Sequence, residues 1–229
     1  MKRSSSFMII AIALTVSGCG SLFHRTEESE VFTTPQAPSP VEKKVEKKET
    51  EPLHILGNPN APVTLEEFGD YECPPCGKIS TVLDQLVKEY NPRLRLVFRN
   101  FPNEFHKHAR DAALAAEAAG LQGRFWEMHD FLYGEQVAWS KAADPTTLFE
   151  DYAVKLGLNL EQFRRDVQKE SVKTRVESDR MHAQTKGVKA TPTLFLNDQK
   201  VAPRDHNLDG LRAAIDAALK GSTATSSTQ

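Results

Sequence analysis

The sequence predicts an α/β fold in which a sheet is interrupted, midway along the chain, by an all-helical block. Three observations predict it. A strand–helix–strand run opens the folded part over residues 63–98, helical periodicity fills about 106–184, and a strand–turn–strand–helix run closes it over 193–219. The folded part spans 52–221, long enough to bury one sizeable core.

The first strand, 63–68, reads VTLEEF, with the turn chemistry of Gly57-Asn58-Pro59-Asn60 before it and Gly69-Asp70 after it. Ile79, Val82, Leu83, Leu86, Val87 and Tyr90 then recur at helical spacing until Asn91-Pro92 stops the helix. Residues 94–98 make the second strand, so the opening is a βαβ unit with the usual right-handed crossover. Helices follow at 109–119, around Phe125, His129 and Leu132, at 145–156 and at 161–180, an insertion of about 106–186. The alanine run 112–119 reads as a close-packed helix face, and Trp126 and Trp139, at helical spacing, read as core. Strands at 193–196 and 199–201 flank a turn at Asn197-Asp198, and a helix at 208–219 ends the fold. The small, polar tail 222–229 is expected to fray.

Ahead of the fold, Lys2 and Arg3 precede an apolar run, 7–16, too short to span a bilayer comfortably but right for a secretory signal. It ends in Val16-Ser17-Gly18-Cys19, which resembles the lipobox of bacterial lipoproteins. That resemblance implies a signal peptide at 1–18, lipid on Cys19 and stable anchoring by two or three chains. Gly20 stands where an aspartate is the usual inner-membrane retention signal, so in a cell with an outer membrane the implied destination is the outer membrane. Residues 20–51 have no sustained apolar periodicity and read as a disordered tether with a reach of roughly 30 Å.

Apolar residues make up 39% of the chain and charged residues 26%, with a formal net charge of −2. That balance excludes a multi-span membrane protein and gives no electrostatic footprint for nucleic acid. Three cysteines are too few for a disulfide-stapled scaffold or a four-cysteine zinc site. Two of them form Cys73-Pro74-Pro75-Cys76, where the first strand hands over to the first helix. Thiols separated by two residues can close a disulfide, and a helix N-terminus favours thiolate at the first. With no second cysteine pair, and an exported compartment, redox chemistry outweighs zinc. A thiol near the helix end attacks, which assigns Cys73 as nucleophile and Cys76 as the resolving thiol. Cys76 must then lose a proton, and Glu66 and Glu67, on opposite faces of a central strand, are both candidates to take it. A different reading of the same thiols is a metallochaperone that carries copper with His106 or His108, although two histidines alone make a poor site.

Phe68-Gly69-Asp70-Tyr71-Glu72-Cys73-Pro74-Pro75-Cys76, then FWEMHDFLY at 125–133, then Gly187-Val188-Lys189-Ala190-Thr191-Pro192-Thr193-Leu194-Phe195-Leu196-Asn197 resemble DsbA-like thioredoxin-fold proteins. The resemblance covers roughly 54–220. It implies a thioredoxin core with an all-helical insertion and a thiol–disulfide oxidoreductase acting on cysteines of exported proteins. It implies no cofactor beyond the redox pair itself, and a monomer served by a further redox partner. It selects Glu67 as the acidic residue beneath the disulfide, and makes Pro192 the family's cis-proline, with the Thr191 backbone binding an extended substrate. Two features depart from the family pattern. Pro-Pro replaces the Pro-His of strongly oxidising members, and the hairpin turn lacks the usual Asn-Gly.

Overall fold

The computed structural model describes residues 54–226. Their centre is a five-stranded sheet: β1 Ile55–Gly57, β2 Val63–Gly69, β3 Leu94–Asn100, β4 Thr193–Leu196 and β5 Gln199–Lys200, in the order β1-β3-β2-β4-β5. Only β2 and β3 run parallel, with α1 (Pro74–Tyr90) as the crossover; every other pairing is antiparallel. The lipobox, the tether and Cys19 lie outside the described residues.

Alternation along β2 divides the molecule into layers. Val63 and Leu65 join a core with Ile79, Leu83 and Leu86 of α1 and with Leu211 and Ile215 of α8 (Leu208–Ser226). Phe68 points the other way, packing with Ala183 and Phe195. Two helices therefore cover one face, and α7 (Glu170–Thr185) covers the other.

The helical insertion consists of α2 (Ala109–Gly120), α3 (Phe125–Gly134), α4 (Gln136–Ser140), α5 (Thr146–Lys155), α6 (Leu160–Val167) and α7. Every residue of α2 from Ala112 to Ala119 is buried, Glu117 included, so its alanines admit neighbours on all sides rather than on one face. Trp139 is wholly buried and donates its indole N–H to the Leu132 carbonyl at 2.7 Å. Trp126 is half-buried, donating to the Ile55 carbonyl at 3.2 Å.

Charged groups stitch the insertion to the sheet. Arg99 of β3 meets Glu66 at 3.0 Å and Asp179 of α7 at 3.1 Å, and Asp179 also pairs with Arg175 at 3.1 Å. The Asn100 side chain donates to Glu117 at 2.6 Å, and the other Glu117 oxygen lies 2.9 Å from His54 Nε2.

Several sequence expectations are corrected. The helix expected at 161–180 is two, because the chain extends at Lys169 (ψ 135°) and restarts with Arg175 and Asp179 turned inward. Strand β1 and helix α4, three and five residues long, escaped periodicity because neither completes a pattern. The last strand stops at Lys200, and α8 runs to Ser226, into the stretch expected to fray, since no proline breaks it. Without Asn-Gly, the hairpin turn still places both central residues at positive φ, Asn197 at 45° and Asp198 at 66°, as a type I′ turn requires.

Candidate active site

Cys73 is the N-cap residue of α1, in extended conformation (φ −76°, ψ 117°), and prolines fill the first two helical positions. Those positions have no intrahelical use for an N–H, so Pro74 and Pro75 start the helix at no cost in hydrogen bonds. The Cys76 and Gly77 amides close the first turn onto the Cys73 carbonyl at 3.0 and 3.2 Å. Gln136 of α4 ties the preceding loop down, donating to the Tyr71 and Cys73 carbonyls at 2.6 and 3.0 Å. Gly69 is required at the end of β2, because a Cβ there would collide with the Phe98 ring and come within 2.9 Å of the Tyr133 hydroxyl.

Both cysteines are free thiols. Cys73 keeps 6% of its surface exposed and Cys76 none. The Cys73 thiol is pulled down to about 6, first by the Cys76 thiol donating to it, against its own burial, then by Thr191 and the Cys76 amide. That value lies between about 3.5 for a strongly oxidising thiol of this kind and about 7 for a reducing one. Burial pushes the Cys76 thiol far up, and the hydrogen bond given to Cys73 and the nearby Glu67 carboxyl add to it. One thiol is thus biased toward thiolate and the other held protonated.

Thr191 stands across from Cys73, its carbonyl 3.4 Å from Cys73 Sγ, and the Thr191–Pro192 peptide is cis. An open groove beside the pair is bordered by Pro75, Ile79, Val82, Thr191, Pro192 and Leu208.

The two glutamates of β2 separate as alternation requires. Glu66 faces α7, where Arg99, Lys186 (2.8 Å) and His182 (3.5 Å) hold it. Glu67 faces the α1 side, paired in register with Phe98 and Leu194. It has no exposed surface, and neither of its carboxyl oxygens has a hydrogen-bond partner among the described residues. Burial, then the charges of Cys73 and Asp84, raise it to about 8. The Tyr133 hydroxyl is likewise buried and has no hydrogen-bond partner among the described residues.

His106 and His108 are engaged by other groups: His106 Nδ1 lies 2.7 Å from Asp70, and His108 Nε2 is 3.0 Å from the Ala142 carbonyl. Among the described residues, no group of three His, Cys, Asp or Glu side chains is arranged to hold a metal ion. The segment FWEMHDFLY supplies the wall behind the loop, where Tyr71 donates its hydroxyl to His129 Nδ1 at 3.1 Å. Burial, with the His54 charge, lowers His129 to about 3, so it remains a neutral acceptor. The structure adds Asp70 and Asp84, whose positions relative to the thiols no sequence spacing announced.

The family model described as Thioredoxin matches residues 49–217. Curated relatives include the Na(+)/H(+) antiporter NhaA 1 of Mycolicibacterium gilvum, 42% identical over 152 residues, covering 64% of this chain and 24% of that protein. The NhaA 1 of Salinispora arenicola is 37% identical over 169 residues, 73% of this chain and 25% of that protein. The chain thus spans about a quarter of the length of these relatives, and among its described residues no helix is long and apolar enough to cross a membrane. Among solved structures, a thioredoxin-like oxidoreductase from Silicibacter pomeroyi is 30% identical, covering 75% of this chain and 95% of that one, with TM-score 0.63. Oxidised BdbD from Bacillus subtilis is 29% identical, covering 72% and 92%, with TM-score 0.64. With the family matched across the sheet and the helical insertion alike, the chain belongs to the thioredoxin family.

Proposed function

We propose that this enzyme exchanges disulfides with cysteine pairs of exported proteins in the cell envelope, using Cys73 and Cys76 as its redox pair and lipid on Cys19 as its anchor. The observation that carries the reading is the asymmetry of the pair: a thiol lowered to about 6 at a helix N-terminus, and a buried partner beside a carboxyl raised to about 8.

In the oxidising direction a substrate thiolate attacks Cys73 Sγ of the Cys73–Cys76 disulfide. The S–S bond breaks, and the electron pair leaves on Cys76, which takes a proton from Glu67 relayed through one water. A second substrate thiolate then attacks the substrate sulfur of the mixed disulfide, and Cys73 departs as thiolate. Two electrons have moved from the substrate to the enzyme pair, with no other cofactor. Reduction runs the same steps backward, with Glu67 accepting the Cys76 proton. An extended substrate segment would lie in the groove between α1 and residues 191–192, pairing with the Thr191 backbone. A second redox protein must return the pair to its working state. The enzyme acts as a monomer and needs no nucleic acid.

A Cys76→Ser variant should accumulate mixed disulfides with envelope proteins, because Cys73 attacks and nothing resolves the adduct, whereas Cys73→Ser should not. Equal trapping by both variants on a diagonal gel would overturn the assignment of roles.

A further inference from the structure

The loop that delivers the nucleophile is buckled to a segment more than thirty residues away. Asp70, whose side chain is fully buried, accepts from the Glu72 amide at 2.8 Å, the Asn103 amide at 2.9 Å and His106 Nδ1 at 2.7 Å. The Asp70 carbonyl in turn accepts the Cys73 amide at 3.1 Å, and Glu72 accepts the His108 amide at 2.6 Å. A carboxylate is therefore buried three residues before the nucleophile, with a 29% exposed imidazole as its cationic partner.

We propose that His106, held by Asp70, is a positioning residue for the redox centre: its imidazolium offsets the Asp70 charge beside Cys73 and makes the thiolate's stability depend on pH across the histidine range. This rests on the redox reading of Cys73 and Cys76. The charges act in the required sense. Asp70 works against the Cys73 thiolate. Burial opposes the charged form of His106, yet the hydrogen bond and charge of Asp70, with Glu72 and Cys73 beyond, raise it above the ordinary histidine value. On its other side His106 borders a shallow pocket with Glu104, Lys107, Arg110, Glu177 and Arg180, where Arg180 is paired with Glu177 at 3.1 Å and Glu104 at 3.3 Å. Cys76 and Glu67 complete the titrating groups around Cys73. While His106 is protonated, Cys73 faces a neutral Asp70–His106 pair. As pH rises through the His106 titration, the Asp70 charge is uncovered, the thiolate loses stability, and the pair becomes more reducing. No electron or proton passes through His106.

The test is a thiolate titration of the reduced full-length protein by ultraviolet absorbance, with His106→Gln and His106→Lys beside the wild type. Glutamine keeps the hydrogen bond to Asp70 and lacks the charge; lysine keeps the charge. The wild type should titrate in a broadened, coupled curve. His106→Gln should sharpen it and move it up by about one pH unit, the effect of one charge about 12 Å away at an effective dielectric of about 20. His106→Lys should restore the wild-type midpoint and hold it where histidine loses its proton. A glutamine variant that titrates like the wild type, or a lysine variant that titrates like glutamine, would overturn the proposal. Failure of the underlying redox reading looks different: Cys73 and Cys76 would then form no reducible disulfide in glutathione buffers, whatever residue 106 is.

Discussion

Replacing Glu67 with glutamine should stabilise the protein increasingly as pH rises. Glu67 is wholly buried, its oxygens find no hydrogen-bond partner among the described residues, and burial, Cys73 and Asp84 lift its carboxyl from 4.5 to about 8. A carboxyl whose folded value is raised binds its proton more tightly folded than unfolded. Its contribution is therefore fully present below about pH 4.5 and lost as pH rises through about 8. Each pH unit between the unfolded and folded values is worth about 1.4 kcal/mol, so the wild type forgoes on the order of 3–5 kcal/mol across that window. Glutamine is nearly isosteric and does not titrate. The stability difference, Glu67→Gln minus wild type, should sit near its baseline at pH 4 and climb by a few kcal/mol by pH 8. Guanidinium unfolding of the reduced proteins at several pH values reads it directly. Oxidised protein should show a shallower climb, because the Cys73 thiolate that helps raise Glu67 is gone while burial and Asp84 remain. A difference that stays flat from pH 4 to pH 8 would refute the burial argument and, with it, the place of Glu67 beneath the pair.

Pro75→His should raise the redox potential and lower the Cys73 value together, since it returns an N–H that two prolines cannot offer. Glutathione equilibrium should put the parent between about −120 and −270 mV, and a parent already at the oxidising limit would defeat the argument from missing donors. Asp179→Ala removes the carboxylate that Arg99 and Arg175 share and that the Asn100 amide also uses at 3.1 Å. Breaking a buried pair this way costs about 3–5 kcal/mol, and a loss below about 1 kcal/mol in denaturant unfolding would mean the network is solvated. Cys19→Ser should abolish palmitate labelling and release the protein from membranes; persistent attachment would show that some other contact anchors it.

Where structure is written in adjacent residues, the sequence was enough. Cys73-Pro74-Pro75-Cys76 between a strand and a helix put two thiols at a helix N-terminus, because spacing and helix position are local properties. Strands 94–98 and 193–196 and the alanine-rich helix were legible for the same reason: their burial patterns complete themselves within one element. The break at Lys169 was not, since no proline or glycine marks it, and the helix that restarts after it turns Asp179 toward Arg99 and Arg175. The glutamate pair shows the division most sharply. Strand alternation dictates that Glu66 and Glu67 part company, but only the packing of α1 on one face and α7 on the other decides which meets thiols and which meets cations. Asp70 and His106 belong to the same class: their 2.7 Å contact closes a gap of 36 positions. Charges couple through space, with a strength set by distance and burial, and the folded chain alone fixes both.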